Sequence, residues 1–290
     1  RDYVRISNNN IKLEVIDPKP FTDIEDLANY YGIQGLQLNE EGEKFYFGCV
    51  ISNSVDDLTV IPFFDIDRER FLEYDLTKTI YNIVNTEKPT IGLISSLPVT
   101  GGVTSGEEGP KFEEPLFISK SIKEFYNLEP LQKNIVSIPD NIDQLLIIHP
   151  KELSPQTIYA VDQFVLSGKG TIFLIDPFSE FERTRNSAPT GNQKIPSSEL
   201  EGLFNKWGFS IDPGMIVGDI INGRKVSIGR NDNQKIVNYI LWLALQDQFL
   251  SRNDIITSNL EYVFFKSAGS IVNLNTKKNL KFSKLITSSD

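Results

Sequence analysis

Between Gln144 and Pro177 the order of apolar and polar positions is unusually legible. Leu145 to Ile148 is an apolar run without alternation, the pattern of a strand buried on both faces. It stops at His149-Pro150. Ser154 then supplies an N-cap and Pro155 a first helical position. Ile158, Val161, Phe164 and Val165 recur at helical spacing as one apolar stripe. Gly168 and Gly170 end that helix. Thr171 to Ile175 is a second apolar run, cut off at Asp176-Pro177. The pattern predicts a right-handed βαβ crossover between parallel strands. His149 and Asp176 then share the carboxyl edge of the sheet, where ligands bind in open α/β folds.

The flanking patterns fill in the rest. Alternation over Ile11 to Ile16 predicts a half-buried strand, and Thr22 caps a helix over Asp23 to Tyr31 that Gly32 closes. Lys44 to Ser52 and Leu58 to Phe64 read as a hairpin turning at Asn53 to Asp57. Asp65-Ile66-Asp67 precedes a helix over Arg68 to Val84, with Leu72, Leu76, Ile80, Ile83 and Val84 facing a core. The polar break Thr86 to Pro89 places a boundary between an α+β unit, 1–86, and a larger α/β domain, 87–290. In the larger domain, Thr90 to Ser95 predicts a strand and Leu97 to Glu114 a long glycine-rich loop. Ile118 to Tyr126 reads as helix and Ile135 to Ile138 as strand. Pro177 to Pro196 is a second polar loop. Ser197 or Ser198 caps a helix bearing Leu200, Leu203, Phe204 and Trp207, ended by Gly208. Met215 to Val217 and Lys225 to Ile228 read as short strands. Gln234 to Leu250 is apolar on most faces and predicts a buried helix. Tyr262 to Lys266 and Ser270 to Leu274 read as strands. The expected fold class is α/β: a mostly parallel sheet flanked by helices, with a smaller N-terminal α+β unit.

Composition narrows the function classes. With 290 residues the chain suits about two domains. A net charge of −10 argues against nucleic acid or anionic membrane surfaces as general partners. No apolar run approaches the ~18 residues of a membrane span. The sequence starts at Arg1 rather than Met, so it reads as an excised fragment of a longer protein. Cys49 is the one cysteine, which leaves no disulfide framework and no cysteine-built zinc site.

Candidate chemistry is sparse. His149 is the one histidine and so the one available imidazole base, but Ser95 and Ser96 lack the G-x-S-x-G nucleophile elbow. Ending a buried strand is its simpler role. Cys49 sits in an apolar strand pattern, as a buried thiol does. Gly101 to Gly109 lacks the lysine of a phosphate loop and carries Glu107 and Glu108, which repel phosphate. Asp65 and Asp67 suit a helix start better than a cation site. Asp176 and Asp219 could pair for hydrolysis, yet Asp-Pro and Gly-Asp are also turn signals. No cofactor or metal is expected.

Several segments together resemble the GldG family, the auxiliary extracytoplasmic component of an ABC-type transport system linked to gliding motility. They are YYGI at Tyr30 to Ile33, FYFG at Phe45 to Gly48, VIPFF at Val60 to Phe64 and RERFLEYDLTKTI at Arg68 to Ile80. KPTIGLIS at Lys88 to Ser95, the unit Leu145 to Pro177, LFNKWGFSIDPGMIVGD at Leu203 to Asp219 and KLITSSD at Lys284 to Asp290 follow in order. The resemblance implies a non-enzymatic protein on the periplasmic side of the bacterial inner membrane, anchored by segments outside this chain. Its implied partners are an ABC permease and its ATPase. The larger domain is similar to the glutamine-amidotransferase-like fold, with Rossmann-type layering, but lacks that fold's catalytic cysteine-histidine pair. Sugar binding has been proposed for related non-enzymatic domains, so a carbohydrate ligand is a further implication of the resemblance. The expected binding residues are His149, Asp176, Ser95 and Ser96 at the sheet edge, with Arg183, Arg185, Phe178 and Phe181 from the loop above. A hydrolase using Asp176 or Asp219, and a purely structural spacer, are the alternatives.

Overall fold

The computed structural model describes residues 2–39, 44–106, 109–185, 195–229, 235–275 and 280–289. The chain divides into two compact units, Arg1–Lys88 and Pro89–Asp290.

The first unit opens with a short helix, α1 (Asp2–Ile6). The alternating segment Ile11 to Ile16 is not a strand. It has no neighbouring strand among the described residues, and Leu13, Val15 and Ile16 stay exposed. Helix α2 (Asp23–Tyr30) starts where Thr22 Oγ1 accepts the Glu25 amide, at 3.4 Å. Glu25 reaches back to accept the Phe21 amide at 2.7 Å, and also accepts from Tyr46 Oη and Lys44 Nζ. These bonds, the Phe21 amide first, lower the Glu25 pKa to about 2. They tie α2 to β2 (Lys44–Tyr46), which pairs antiparallel with β1 (Gly35–Gln37). The apolar run from Lys44 is therefore two strands, not one. It breaks at Gly48, where a Cβ would lie 2.6 Å from the Pro62 carbonyl. β3 (Cys49–Ser52) and β4 (Leu58–Ile61) form the expected hairpin, with Asn53 Oδ1 accepting the Val55 and Asp57 amides. Asp65 Oδ1 accepts the Asp67 amide at 2.9 Å, a capping role. A 3₁₀ turn, Ile66–Phe71, leads into α3 (Leu72–Val84).

The second unit is built on β5 (Thr90–Ser95). The expected loop after it is instead an antiparallel hairpin, β6 (Gly102–Gly106) with β7 (Gly109–Glu113). Glu107 and Glu108 lie outside the described residues. Gly101, at φ +75°, lets the hairpin leave the sheet, since a Cβ there would sit 2.6 Å from the Glu113 carbonyl. Helix α4 (Phe117–Lys123) returns the chain to β8 (Asn127–Pro130). The sequence NLEP carries no apolar run, which is why that strand escapes notice. Ile135 and Ile138 are not in a strand; they pack from a loop against the core.

β9 (Gln144–Ile148), α5 (Pro155–Leu166) and β10 (Thr171–Leu174) form the expected βαβ unit, with Leu145 beside Thr171 and Ile148 beside Leu174. The parallel sheet has the order β8-β5-β9-β10. Alternate β9 residues serve opposite faces. Leu146 and Ile148 join Leu93 and Val99 under α4. Leu145 and Ile147 join Ile94, Val161 and Phe164 under α5. The second polar loop holds a short helix, α6 (Glu180–Arg185), and its residues 186–194 lie outside the described residues. Helix α7 (Glu201–Trp207) adds Leu203 and Phe204 to the α5 face. Gly208, at φ +100°, turns the chain into β11 (Phe209–Ile211). Met215 to Val217 is not a strand, although the Val217 amide bonds the Ala268 carbonyl.

The largest departure concerns Gln234 to Leu250, expected as a helix. Lys235–Gln246 is a long strand, β13, between β12 (Gly223–Ile228) and β14 (Tyr262–Lys266) in an antiparallel sheet. The segment is rich in β-branched and aromatic residues, which favour strands. Leu243 and Leu245, two apart, are its buried residues. It looks apolar all round because Ile236 and Ile240 stay exposed on the other half. β15 (Ile271–Asn273) pairs antiparallel with β11.

Phe204 stacks on Phe209 at 4.9 Å, meets Phe173 edge-on at 5.5 Å and is 2% exposed. Phe204→Ala is expected to cost about 3–5 kcal/mol, read from the shift in urea unfolding midpoint at unchanged slope.

Candidate functional site

The chain reaches β8 on one side of β5 and then returns to β9 on the other. The strand order reverses between β5 and β9, and the crevice at their carboxyl ends is where an α/β sheet offers a ligand site. Ser95 and Ser96 border it from β5, and His149 from β9. In this protein hydrogen bonds to the chain's own backbone cross the crevice. Ser95 Oγ accepts the Leu97 amide at 3.0 Å. Ser96 Oγ accepts the Lys151 amide at 3.0 Å and donates to the Lys151 carbonyl at 3.3 Å. Both hydroxyls expected to meet a ligand hold the chain's own backbone.

His149 is 1% exposed and sits at φ +45°, a left-handed conformation uncommon for a residue with a Cβ. Its amide donates to the Leu174 carbonyl at 2.9 Å, next to the last β9–β10 pair. The imidazole has two partners. Nδ1 lies 2.9 Å from Ser198 Oγ, and Nε2 lies 2.7 Å from Glu182 Oε2. Ser198 Oγ also accepts the Asp176 amide at 2.9 Å. Its hydroxyl hydrogen is then free to reach Nδ1, so Nε2–H donates to Glu182. With that assignment every member of the chain of bonds has its partner. Asp176 Oδ2 stands 3.8 Å from Nδ1, as the sequence pattern implied, but it is Ser198 that makes the bond.

Glu182 comes from α6, and so does the second anchor. Residues two apart on a helix point about 200° apart. Glu182 Oε1 accepts Lys151 Nζ at 2.6 Å on the parallel-sheet side. Glu180 Oε1 accepts Trp242 Nε1 at 2.7 Å and the Ser267 hydroxyl on the antiparallel-sheet side. Ser267, like His149, is buried and left-handed, at φ +51°. Helix α6 is thus a wedge joining the two sheets. The segment after residue 194 completes the closure: Ser179 bonds the Pro196 carbonyl, Ser198 the Asp176 carbonyl and Glu199 the Pro150 carbonyl, each through its amide.

The remaining expected residues divide. Arg183 lies over the Phe178 ring at 5.5 Å. Phe181, on the same short helix α6 as Arg183, is exposed. The Arg185 side chain lies outside the described residues. Asp219 is not at this edge. It is buried in the second sheet's entry loop and accepts from the Ile221, Asn222 and Ser289 amides, Asn222 Nδ2 and Ser289 Oγ, at 2.8–2.9 Å. Desolvation opposes its charge, but those bonds outweigh it and hold its pKa far below the usual carboxylate range. Such a carboxylate is not a proton donor near neutral pH. Ser198, Glu182 and Lys151 are the residues sequence reasoning missed. Ser198 looked like a helix cap, yet the capping position of α7 is Leu200, with no side-chain cap bond.

Ser198, His149 and Glu182 follow the hydroxyl–imidazole–carboxylate order of a hydrolytic triad. The hydroxyl is 5% exposed and already accepts an amide. The depression beside it, walled by Asp176, Leu200 and Phe204, has room for about one water. Among the described residues, the chain itself takes up the hydrogen bonds of Ser198, His149 and Glu182, and three segments are held together here. Among the described residues no group of His, Cys, Asp or Glu could hold a metal ion, and no helix is long and apolar enough to cross a membrane.

The family model described as "ABC-type uncharacterized transport system" matches residues 88–290. The chain belongs to that family. Residues 1–52 match a domain of unknown function, DUF7088. No curated protein and no solved structure matches the chain. The family describes an auxiliary component of an ABC-type transport system, whose partners in general are a permease and an ATPase.

Two outcomes test the network. Ser198→Ala leaves Nδ1 and the Asp176 amide unpaired in a buried place, and is expected to cost about 2–4 kcal/mol by chemical unfolding. The two carboxylates should respond to pH with opposite signs. Desolvation works against the Glu182 charge, but hydrogen bonds from Lys151 and His149 outweigh it and lower its pKa. Its stabilisation is present above the ordinary glutamate value and fades as pH falls through the folded one. Lys151→Met should flatten that acid limb. Desolvation raises the Asp176 pKa, against the opposing influence of His149. Its contribution is present below the ordinary aspartate value and is lost as pH rises. Asp176→Asn should therefore be more stable than the parent at neutral pH, with the difference gone in acid.

Proposed function

We propose that this protein is a non-catalytic, partner-binding subunit of its transport system. It stands on the outer side of the inner membrane, where gliding-motility relatives of the GldG type would work. The observation that carries this reading is the strapped carboxyl edge. Ser95, Ser96 and His149 stand where a ligand would bind, and each is engaged by hydrogen bonds within the chain itself. A domain so closed is suited to presenting a fixed surface to a permease or its ATPase rather than to capturing a small molecule. A carbohydrate ligand would need aromatic faces from Phe178 or Phe181, and Arg183 already covers the Phe178 ring.

The hydrolase reading retains one favourable observation, the raised pKa of Asp176 beside the small depression. It predicts turnover of esters or glycosides that Asp176→Asn abolishes.

The tagged chain, cross-linked in membranes of the organism that encodes it, should recover the permease of one ABC system. Asp176→Asn should recover it equally well. Failure to recover a permease, in native and cross-linked membranes alike, would contradict the partner-binding role.

A further inference from the structure

The second unit carries a basic, apolar ribbon on an acidic chain. β14 pairs with β13 only over Trp242 to Gln246. Farther along, five cross-strand pairs, from Arg224–Tyr239 to Ile228–Lys235, continue as β12 and β13 alone. At roughly 3.3 Å per residue this two-stranded part is about 16 Å long. From Ile220 to Gln246 the sequence holds four basic residues and one acid, in a chain of net charge −10. Arg224, Lys225 and Lys235 are exposed, and none makes an ion pair among the described residues.

Apolar side chains share the ribbon with them. Ile236 is 76% exposed, Ile228 51% and Tyr239 40%. Cross-strand partners lie on the same face. Arg224, Tyr239, Ile228 and Lys235 therefore occupy one face, and Lys225 and Ile236 the other. A flat protein partner would cover one face and leave the other wet. A lipid headgroup layer surrounds both, and pairs cations with phosphates while it receives isoleucine and tyrosine.

We propose that this ribbon docks the protein on an anionic lipid surface. The open backbone edges of a two-stranded ribbon need hydrogen-bond partners, so it rests at headgroup depth and does not enter the hydrocarbon. Repulsion from the acidic remainder is no obstacle. The ribbon's length is about twice the ~8 Å screening length at physiological salt. The whole-chain charge, which spoke against such a surface, hides this local reversal. The inference rests on the ribbon's chemistry alone, and its failure would leave the transport assignment standing.

The test is co-sedimentation of the full chain with vesicles of phosphatidylglycerol and phosphatidylcholine, against phosphatidylcholine alone. Binding is expected to the anionic vesicles only, and to vanish at high salt. Lys225→Glu with Lys235→Glu should lower partitioning about tenfold or more, at unchanged circular dichroism and melting. Should that pair disturb folding, Lys225→Gln with Lys235→Gln should still lower it several-fold. Ile236→Ser should weaken binding while preserving its salt dependence. No binding to anionic vesicles, equal binding to both kinds, or binding unmoved by folded charge variants would overturn the proposal. Retention of an acidic protein by the ribbon in the absence of vesicle binding would do so as well.

Discussion

A histidine that ends a buried parallel strand must find a partner for each ring nitrogen, because water does not reach it. His149 meets that demand with Ser198 on one side and Glu182 on the other. Neither partner is close in sequence. The demand therefore draws two remote segments onto the ends of β9 and β10. The left-handed backbone at His149 belongs to the same arrangement. A conformation of this kind costs about 1–3 kcal/mol and persists only where its surroundings over-determine it. Here the β-ladder amide, two ring bonds and the packing of a closed sheet edge do so.

From that point the second unit follows as a connected object. Glu182 fixes one side of α6, and Glu180 on its opposite side fixes Trp242 and Ser267. The parallel and antiparallel sheets thus share one short helix as a common fastener. Asp219 plays the same part elsewhere, collecting the tail at Ser289 onto the loop that enters β12. The carboxylates of Glu180, Glu182 and Asp219 act as junctions between segments. The carboxyl edge of the parallel sheet is consequently tied to several remote segments among the described residues. The family to which the chain belongs describes an auxiliary component of a transport system.

The βαβ unit was legible because periodicity, N-cap and glycine stops all agree over one short stretch. The proximity of His149 and Asp176 followed from that topology alone. The partners of His149 were not legible, since Ser198 and Glu182 are tens of residues away and each had a plausible local explanation. β13 was misread because exposed isoleucines on a half-covered strand imitate a helix buried all round. Ile11 to Ile16 erred the other way: alternation alone forms no strand without a neighbour to pair with. The hairpin of β6 and β7 is short and polar, and owes its form to the glycine geometry at Gly101 more than to any apolar signal.

Because His149 is the chain's one histidine, its imidazole can be observed without assignment ambiguity. Nitrogen-15 spectra of histidine-labelled protein at neutral pH test the closed edge most directly. The account predicts a single Nε2–H tautomer, with its proton slow to exchange with solvent. Averaged tautomer shifts with rapid proton exchange, as in an exposed imidazole, would contradict it.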